Sequence, residues 1–247
     1  ALYNNVSNTG NVAIGYRSLF NQSAQNYNVA VGYESQYSNT TGARNVAIGF
    51  QASRQNQTNH SNVALGYGTL YNNTASGNIA IGDRALYYNT TAGYNTAIGY
   101  LSMYANTTGH NNIAIGYDTL RQNTTGYRNH AIGRAAMYIC TTGSDNTAYG
   151  YYANYAITTG THNHAIGTEA GARLSTGHYN ISIGYRANYN VLSGTSCNTA
   201  IGHNAGPNAN RSNTTCIGYG ATAGQNYAII LGDTNNNNKV GIGTSTP

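Results

Sequence analysis

The sequence has few charged residues, which together make up 7% of its 247 positions. Its pI is near 9.0, yet the eleven basic residues are scattered, and only one of them, Lys239, is a lysine. Nucleic-acid binding requires basic residues clustered into a stripe. The composition therefore predicts no nucleic-acid partner.

Large apolar residues are also scarce, since Leu, Ile, Val and Phe make up about 15% of the chain. That fraction lies below the roughly 20% that usually indicates disorder. Disorder also requires a high net charge, however, and the net charge here is only +5. No apolar run approaches the roughly 18 residues of a membrane span, so we predict no membrane span, and no signal peptide opens the sequence.

Cysteine is rare as well: the chain has three, Cys140, Cys197 and Cys216. An odd number of cysteines at unrelated places predicts no disulfide framework. We expect buried or incidental thiols, and the sequence indicates no cofactor.

The abundant residues are Asn, Thr, Gly and Tyr, and they form a tandem repeat. A glycine preceded by an aliphatic residue, here called the repeat glycine, recurs every 17 residues almost throughout. Positions below are counted from this glycine, so that −4 precedes it by four residues. The repeat glycines that define coils 1 to 13 are Gly15, Gly32, Gly49, Gly66, Gly82, Gly99, Gly116, Gly133, Gly150, Gly167, Gly184, Gly202 and Gly218.

The consensus around this glycine reads N-x-A-I-G-Y-x-A-L-Y-x-N-T-T-G. Position −2 is nearly always Ala and position −1 is aliphatic in all but one coil. Position −4 is Asn in twelve successive coils. This predicted Asn ladder comprises Asn11, Asn28, Asn45, Asn62, Asn78, Asn95, Asn112, Asn129, Asn146, Asn163, Asn180 and Asn198.

The repeat predicts strands rather than helices. The N-T-T-G block opposes a helix, whereas alternation along N-x-A-I-G-Y places Asn, Ala and Gly on one face and the variable residue, Ile and Tyr on the other. In N-T-T-G we expect a turn with Gly at positive φ and the Asn side chain as a cap. The prediction is an all-β parallel β-solenoid, or β-roll, of about 14 coils stacked at about 4.8 Å, each with two short strands and two turns. In that stack, each Asn amide would donate to the amide of the neighbouring coil.

Two apolar columns bear on assembly. The Ile column at −1 either fills each coil or forms an apolar seam between chains, and the sequence leaves both readings open. The column at +4, Leu19, Leu70, Leu86, Met103, Leu120 and Met137, adds apolar surface that a single rod would hardly cover. Because a solenoid with so lean a core is stabilised mainly by its interfaces, we predict self-association.

The repeat is regular over residues 1–202, and residues 203–247 are predicted to form irregular terminal coils and a junction to a following element. Intervals shorten there, as terminal repeats do. The stretch from Tyr151 to Arg173 is the clearest local deviation within the regular part, and a recognition site is expected to break the pattern locally.

The run N-T-A-I-G-Y-L-S-M-Y-A-N-T-T-G, Asn95 to Gly109, resembles the repeat region of tail-fibre-domain proteins, which are phage fibres and bacterial surface fibres. The ending Lys239 to Pro247 is similar to the junction that such proteins carry before a C-terminal chaperone. The N-x-A-I-G core also resembles the heads of trimeric autotransporter adhesins, which implies a left-handed roll in a homotrimer. These resemblances imply an extracellular, cell-surface or virion location and a role in attachment to host or surface polysaccharide, or in spacing a receptor-binding tip.

Catalysis is not expected. A depolymerase requires two carboxylates roughly 5 to 10 Å apart, and Glu34, Asp118 and Glu169 lie at position +2 of coils 2, 7 and 10. The nearest pair is three coils apart, about 14 Å at the strand spacing. We expect this column to form a solvent-facing edge with inter-coil ion pairs.

His162 and His164 flank Asn163, and a His-x-His pair on a strand directs both rings to one side. Because phage fibres carry axial His-x-His metal sites, the resemblance implies that three symmetric chains could close these rings around a metal. Solvent-exposed polar side chains are the alternative.

Tyr recurs directly after the repeat glycine and again at position +5. The second column could bind glycan by ring stacking, or could serve only to stack one coil on the next. Its members, the glycan-binding candidates, are Tyr37, Tyr71, Tyr87, Tyr104, Tyr138, Tyr155 and Tyr189.

The paired threonines of N-T-T-G form a repeated array, such as Thr90-Thr91 and Thr107-Thr108. The array leaves ice binding as an alternative function, since plant ice-binding proteins use a similar N-x-V-x-G coil. A self-assembling extracellular filament subunit is a further alternative.

Overall fold

The structure, a computed structural model, describes residues 1–4, 9–24, 27–191 and 194–233. These residues form 14 β-strands of three residues each and no helix. Two compact units, residues 1–129 and 130–247, contain seven strands each. In the first unit the strands are β1 (Val12–Ile14), β2 (Val29–Val31), β3 (Val46–Ile48), β4 (Val63–Leu65), β5 (Ile79–Ile81), β6 (Thr96–Ile98) and β7 (Ile113–Ile115). In the second unit they are β8 (His130–Ile132), β9 (Thr147–Tyr149), β10 (His164–Ile166), β11 (Ile181–Ile183), β12 (Thr199–Ile201), β13 (Thr215–Ile217) and β14 (Ile229–Leu231).

Within each unit, every strand pairs in parallel with the next strand along the chain, in the register of the repeat. Ala97 pairs with Ala114 in the first unit, and Ala148 pairs with Ala165 in the second. The predicted all-β parallel solenoid is thus confirmed. The change in regularity predicted at residue 202 stays a prediction, and the ending Lys239 to Pro247 lies outside the described residues.

The prediction of two strands per coil is wrong, because each coil contains one strand and the remainder is turn. Adjacent residues at +3 and +4, such as Ala85 and Leu86, are both fully buried, which a strand with alternating faces does not allow. Left-handed φ angles of 50° at Arg84 and 51° at Leu86 turn the chain so that both side chains face inward. This conformation costs roughly 1 to 2 kcal/mol per residue, and backbone hydrogen bonds between coils offset the cost, as from Leu86 N–H to the Ser102 carbonyl at 3.1 Å.

The +4 column fills the coils. All six of its predicted members, Leu19, Leu70, Leu86, Met103, Leu120 and Met137, are completely buried. The interpretation that a single chain would leave this column uncovered is therefore wrong. The Ile column at −1 faces outward, with Ile14 59% exposed and Ile48 43% exposed, so it does not fill the coils.

Position +7 is also buried in coils 1 to 11, and positions +4 and +7 exchange apolar and polar side chains along the chain. In coils 4 to 7, +4 is apolar and +7 is Asn, as in Met103 and Asn106. In coils 9 to 11, +7 is apolar, with Ile157, Leu174 and Val191, and +4 is Asn or Gly. In each of these coils, one of the two interior positions, +4 or +7, thus carries a large apolar side chain.

The −4 Asn ladder connects three pieces of backbone. Asn95 Nδ2 donates to the Gly109 carbonyl at 2.9 Å, and Asn95 Oδ1 accepts from Asn112 N–H at 2.9 Å. The predicted amide-to-amide bond also exists, from Asn112 Nδ2 to Asn95 Oδ1 at 3.2 Å. The main partners are nevertheless backbone groups, because the buried Asn112 N–H needs an acceptor and the buried Gly109 carbonyl, which also accepts from Asn106 Nδ2 at 2.9 Å, can accept two hydrogen bonds.

The N-T-T-G turn is capped as predicted, since Gly42 N–H donates to Asn39 Oδ1 at 2.7 Å. The expected positive φ is not at this glycine; it occurs two residues later, at Arg44, with 57°. Gly42 is required for a different reason. A Cβ there would lie 2.5 Å from the Asn59 carbonyl oxygen of the next coil.

The repeat glycine has both a left-handed φ and a close neighbour. Gly82 has a φ of 128°, and a Cβ would lie 2.5 Å from the Gly99 carbonyl oxygen. Any side chain at this position would collide with the backbone of the next coil.

We predict that Asn95→Ala lowers the free energy of unfolding by about 2 to 4 kcal/mol, because the buried Asn112 N–H loses a partner and the Gly109 carbonyl loses one of two. Urea unfolding monitored by circular dichroism measures the change. Gln122→Ala, which removes an exposed amide from the same unit, serves as the control and should change the free energy of unfolding by less than about 0.5 kcal/mol. Equal effects of the two substitutions would contradict the ladder's role.

Candidate functional site

The outward side of the strands, here called the strand face, consists of positions −3, −1 and +1. In coil 3 these positions are Val46, Ile48 and Phe50, and the Phe50 ring stacks on Tyr33 at 5.2 Å and on Tyr67 at 5.0 Å. The +1 rings are the more exposed aromatic column, with Tyr67 52% exposed. The sequence placed both Tyr columns but did not rank them by exposure.

The strand face differs between the two units. In the first unit, position −3 is Val12, Val29, Val46, Val63, Ile79, Thr96 and Ile113. In the second unit, the same position is His130, Thr147, His164, Ile181, Thr199, Thr215 and Ile229. The first unit therefore presents three adjacent outward columns that are almost entirely apolar or aromatic.

The +5 glycan candidates form a tyrosine ladder. All seven are half-buried, and successive rings stack, as Tyr71 on Tyr87 at 5.0 Å and Tyr138 on Tyr155 at 5.4 Å. Burial raises the pKa of Tyr87, which keeps its hydroxyl neutral. Within the ladder, neighbouring rings occupy the ring faces, so a sugar ring could stack there only where a ring is missing.

Coil 3 shows what occupies such a gap. Its +5 residue is Arg54, whose guanidinium carbon lies 5.1 Å from the Tyr37 ring and 5.8 Å from the Tyr71 ring. The Glu34 carboxylate holds this guanidinium with a 2.8 Å hydrogen bond. Two tyrosines two coils apart therefore accommodate one planar group between them.

Coil 10 has Ala172 at +5, between Tyr155 of coil 9 and Tyr189 of coil 11. A cavity of about 210 Å³, here called the coil-10 slot, is lined by Tyr152, Tyr155, Glu169, Ala172, Arg173 and Tyr189. It lies at the local deviation that the sequence singled out. A cleft of about 470 Å³ in the same unit adjoins Arg186, Tyr189, Gly206, Tyr219 and Asp233.

The +2 acids pair with arginines. Glu169 accepts from Arg186 at 2.6 Å, and Asp118 lies 3.4 Å from Arg121. Burial acts to raise the pKa of Glu34, but hydrogen bonds from Arg54 and Gln51, with the charges of Arg54 and Arg17, hold it below its ordinary value. The predicted inter-coil ion pairs are present at Glu34 and Glu169, whereas Asp118 pairs within its own coil. The expected solvent-facing edge is wrong at Glu34, which is only 6% exposed.

His162 and His164 are both exposed. The His162 ring stacks on Tyr179 at 4.9 Å, and His162 has a φ of 58°, so the pair does not follow regular strand alternation. Among the described residues, no three His, Cys, Asp or Glu side chains group closely enough to hold a metal ion. The three-chain metal site remains a prediction.

The threonines of each N-T-T pair differ. The first hydroxyl donates to a carbonyl of the next coil, as Thr90 Oγ1 to Thr107 O at 2.9 Å and Thr107 Oγ1 to Thr124 O at 3.0 Å. The second threonine, such as Thr91 or Thr108, is exposed. Only one threonine column is therefore directed fully to solvent.

The cysteines are free thiols. Cys140 occupies the +7 position, where its thiol contacts the Gly143 carbonyl at 3.6 Å, and burial raises its pKa to about 12. A thiol with so high a pKa is a packing residue rather than a nucleophile.

Comparison with known proteins gives no relative: no family model, curated protein or solved structure matches this chain. Over the described ranges, no helix is long and apolar enough to cross a membrane.

We predict that Glu34→Gln lowers the free energy of unfolding by about 1 to 3 kcal/mol near neutral pH, because it removes a charge-assisted hydrogen bond to Arg54. The pKa of Glu34 is depressed in the folded state, so the stabilisation is present above the ordinary value of 4.5 and is lost as the pH falls through the lower folded value. The difference between the two proteins should therefore shrink at acid pH, measured by urea unfolding between about pH 3 and 7.

The pair of Asp83 and Arg84 provides the matched control. Arg84 Nε lies 2.7 Å from Asp83 Oδ1, but both side chains are well exposed. Asp83→Asn should therefore change the free energy of unfolding by less than about 1 kcal/mol. A difference between wild type and Glu34→Gln that is constant across the pH range would contradict the assignment.

Proposed function

We propose that the chain is a structural and adhesive segment of an extracellular, cell-surface or virion fibre. In this proposal it self-associates through the strand face, and it attaches to host or surface polysaccharide or spaces a receptor-binding tip. The observation that carries the proposal is the outward Ile column, exposed at Ile48 and flanked by Val46 and Phe50. The likeness of the Asn95 to Gly109 run to tail-fibre repeats supports it.

Self-association through the strand face follows from its chemistry. Extended apolar surface in water favours association, and the first unit's −3 and −1 columns carry no charge. A second copy of the chain matches this surface, because its columns recur at the same strand spacing. The homotrimer and the left-handed coil rest on the resemblance to autotransporter heads.

The adhesive role is proposed as binding without catalysis. The acids Glu34 and Glu169 hydrogen-bond to arginines, which leaves them poorly suited to activate water. Neutral, polar and aromatic surface is suited to polysaccharide, since rings stack on sugars while hydroxyls hydrogen-bond.

Ice binding is the second candidate, and the exposed Thr91 and Thr108 column favours it. The hydroxyls of Thr90 and Thr107 are engaged with backbone carbonyls, which leaves a narrower array than two free columns would give. Thermal hysteresis in the micromolar range would favour this function over the adhesive one. A self-assembling filament subunit would instead be recognised by open-ended growth in electron micrographs.

We predict that the protein has the mass of three chains in multi-angle light scattering, and that Ile48→Lys reduces it toward one chain. The lysine places a charge on the strand face, where an interface would have to desolvate it. Because Ile48 faces outward, the circular dichroism spectrum should stay unchanged. Thr91→Lys, on the exposed turn, is the control and should retain the trimer mass; a monomeric wild type at micromolar concentration would refute the assembly.

We predict that the folded protein binds polysaccharides immobilised on a glycan array. We also predict that it does not shorten polysaccharides in solution. Size-exclusion chromatography of the polysaccharide after incubation measures its length, and the heat-unfolded chain is the control for non-specific adsorption. Shortened polysaccharide would show an enzyme, and an array without any binding would contradict the adhesive role.

A further inference from the structure

We propose that the chain binds a short neutral oligosaccharide in a cleft of the second unit, here called the coil-12 cleft. The cleft is the cavity of about 470 Å³ that lies beside Arg186 and Tyr189 of coil 11 and extends to Tyr219 of coil 13. Its volume lies within the roughly 300 to 1,000 Å³ of ordinary ligand pockets. This inference rests on the proposed adhesive function, and it names the binding site and the class of sugar.

The cleft exists because two columns of the repeat lose their bulk after coil 11. Position +2 is Arg186 in coil 11, but it is Asn204 in coil 12 and Gly220 in coil 13. Position +5 is Tyr189 in coil 11 and Pro207 in coil 12. All five residues border the cavity, so the space that long side chains fill in coil 11 is open in the coils that follow.

Side-chain amides border this space. Asn190 and Asn204 are exposed, and within the described ranges neither side-chain amide has a hydrogen-bond partner. An Asn amide can donate two hydrogen bonds and accept two, which matches the adjacent hydroxyls of a pyranose. Thr222 adds a hydroxyl, which donates to the Gly220 carbonyl at 2.8 Å and can still accept.

Tyr219 gives the cleft an aromatic wall. Its ring is 68% exposed and stacks on His203 at 5.1 Å. The described residues that line the cleft include no Leu, Ile, Val, Met or Phe, so the cleft offers no apolar pocket to a hydrophobic side chain or an acyl chain. An aromatic ring beside amides and a hydroxyl suits a sugar, whose C–H groups contact the ring while its hydroxyls form hydrogen bonds.

The charges around the cleft favour a neutral sugar. Arg186 is the only basic residue among the described residues that line it, and its guanidinium donates to Glu169 at 2.6 Å. The same guanidinium lies against the rings of Tyr185 and Tyr189. Asp233 adds a carboxylate to the lining. An acidic sugar would therefore meet a carboxylate and a cation that is already paired.

The test compares variants of the 247-residue protein on an array that carries cello-, malto- and N-acetylchito-oligosaccharides together with acidic oligogalacturonate. We expect wild type to bind at least one of the neutral oligosaccharides. Asn204→Arg should weaken this binding by about tenfold or more, because a long side chain then fills the cleft. The fold should be retained, because Arg84 occupies the same repeat position with a φ of 50°, close to the 54° of Asn204.

Three further variants complete the test. Gln122→Arg adds the same charge to an exposed site in the first unit and should bind as wild type does. Asn190→Ala and Tyr219→Ala each remove one contact with the sugar. Each should lose about three- to tenfold in affinity, measured by calorimetric titration with the neutral oligosaccharide that the array binds best. All four variants should keep the circular dichroism spectrum of wild type, and Asn190→Ala decides the question if Asn204→Arg does not fold.

Each contrary outcome has a distinct meaning. Undiminished binding by a folded Asn204→Arg, or an equal loss in Gln122→Arg, would overturn the cleft and leave the adhesive function standing. A loss in Tyr219→Ala alone would locate binding on the strand face and would also overturn the cleft. Preferential binding of oligogalacturonate would overturn the neutral sugar. An array without any binding would overturn both the cleft and the adhesive function.

Discussion

The fold depends on one constraint: successive coils must lie one strand spacing apart, about 4.8 Å, around their whole circumference. Glycine makes this possible at two points, Gly82 and Gly42, where a Cβ would collide with a carbonyl of the next coil. The Asn ladder makes it favourable, because each amide ties the turn of its own coil to the strand of the next. Side chains elsewhere in the repeat vary within that spacing.

The sequence predicted the strand correctly because the period of two in N-x-A-I-G-Y is a backbone property. It also placed Asn and Ala on one face of the strand and Ile on the other, but it left open whether the Ile column filled the coil or faced another chain. The left-handed residues were not predictable in this way, since Arg84 and Leu86 have no intrinsic preference for positive φ. Contacts between coils impose that conformation, and those contacts exist only in the folded protein.

At the candidate site too, the sequence predicts where the tyrosine columns lie but not how exposed they are. Their positions follow from the period, whereas their exposure depends on the turns that carry them. The gap at Ala172 is visible in the sequence as one departure in the +5 column. In coil 3 the structure shows that an absent ring leaves room for another flat group, the Arg54 guanidinium.

The exchange of apolar and amide residues between positions +4 and +7 has a consequence for how such a chain can change over generations. Met103 with Asn106, and Asn154 with Ile157, are two solutions to the same interior. Altering one partner alone leaves either a void or a crowded centre, but duplicating or deleting seventeen codons transfers both partners together. The gene can therefore lengthen or shorten by whole repeats more readily than it can drift at either interior codon.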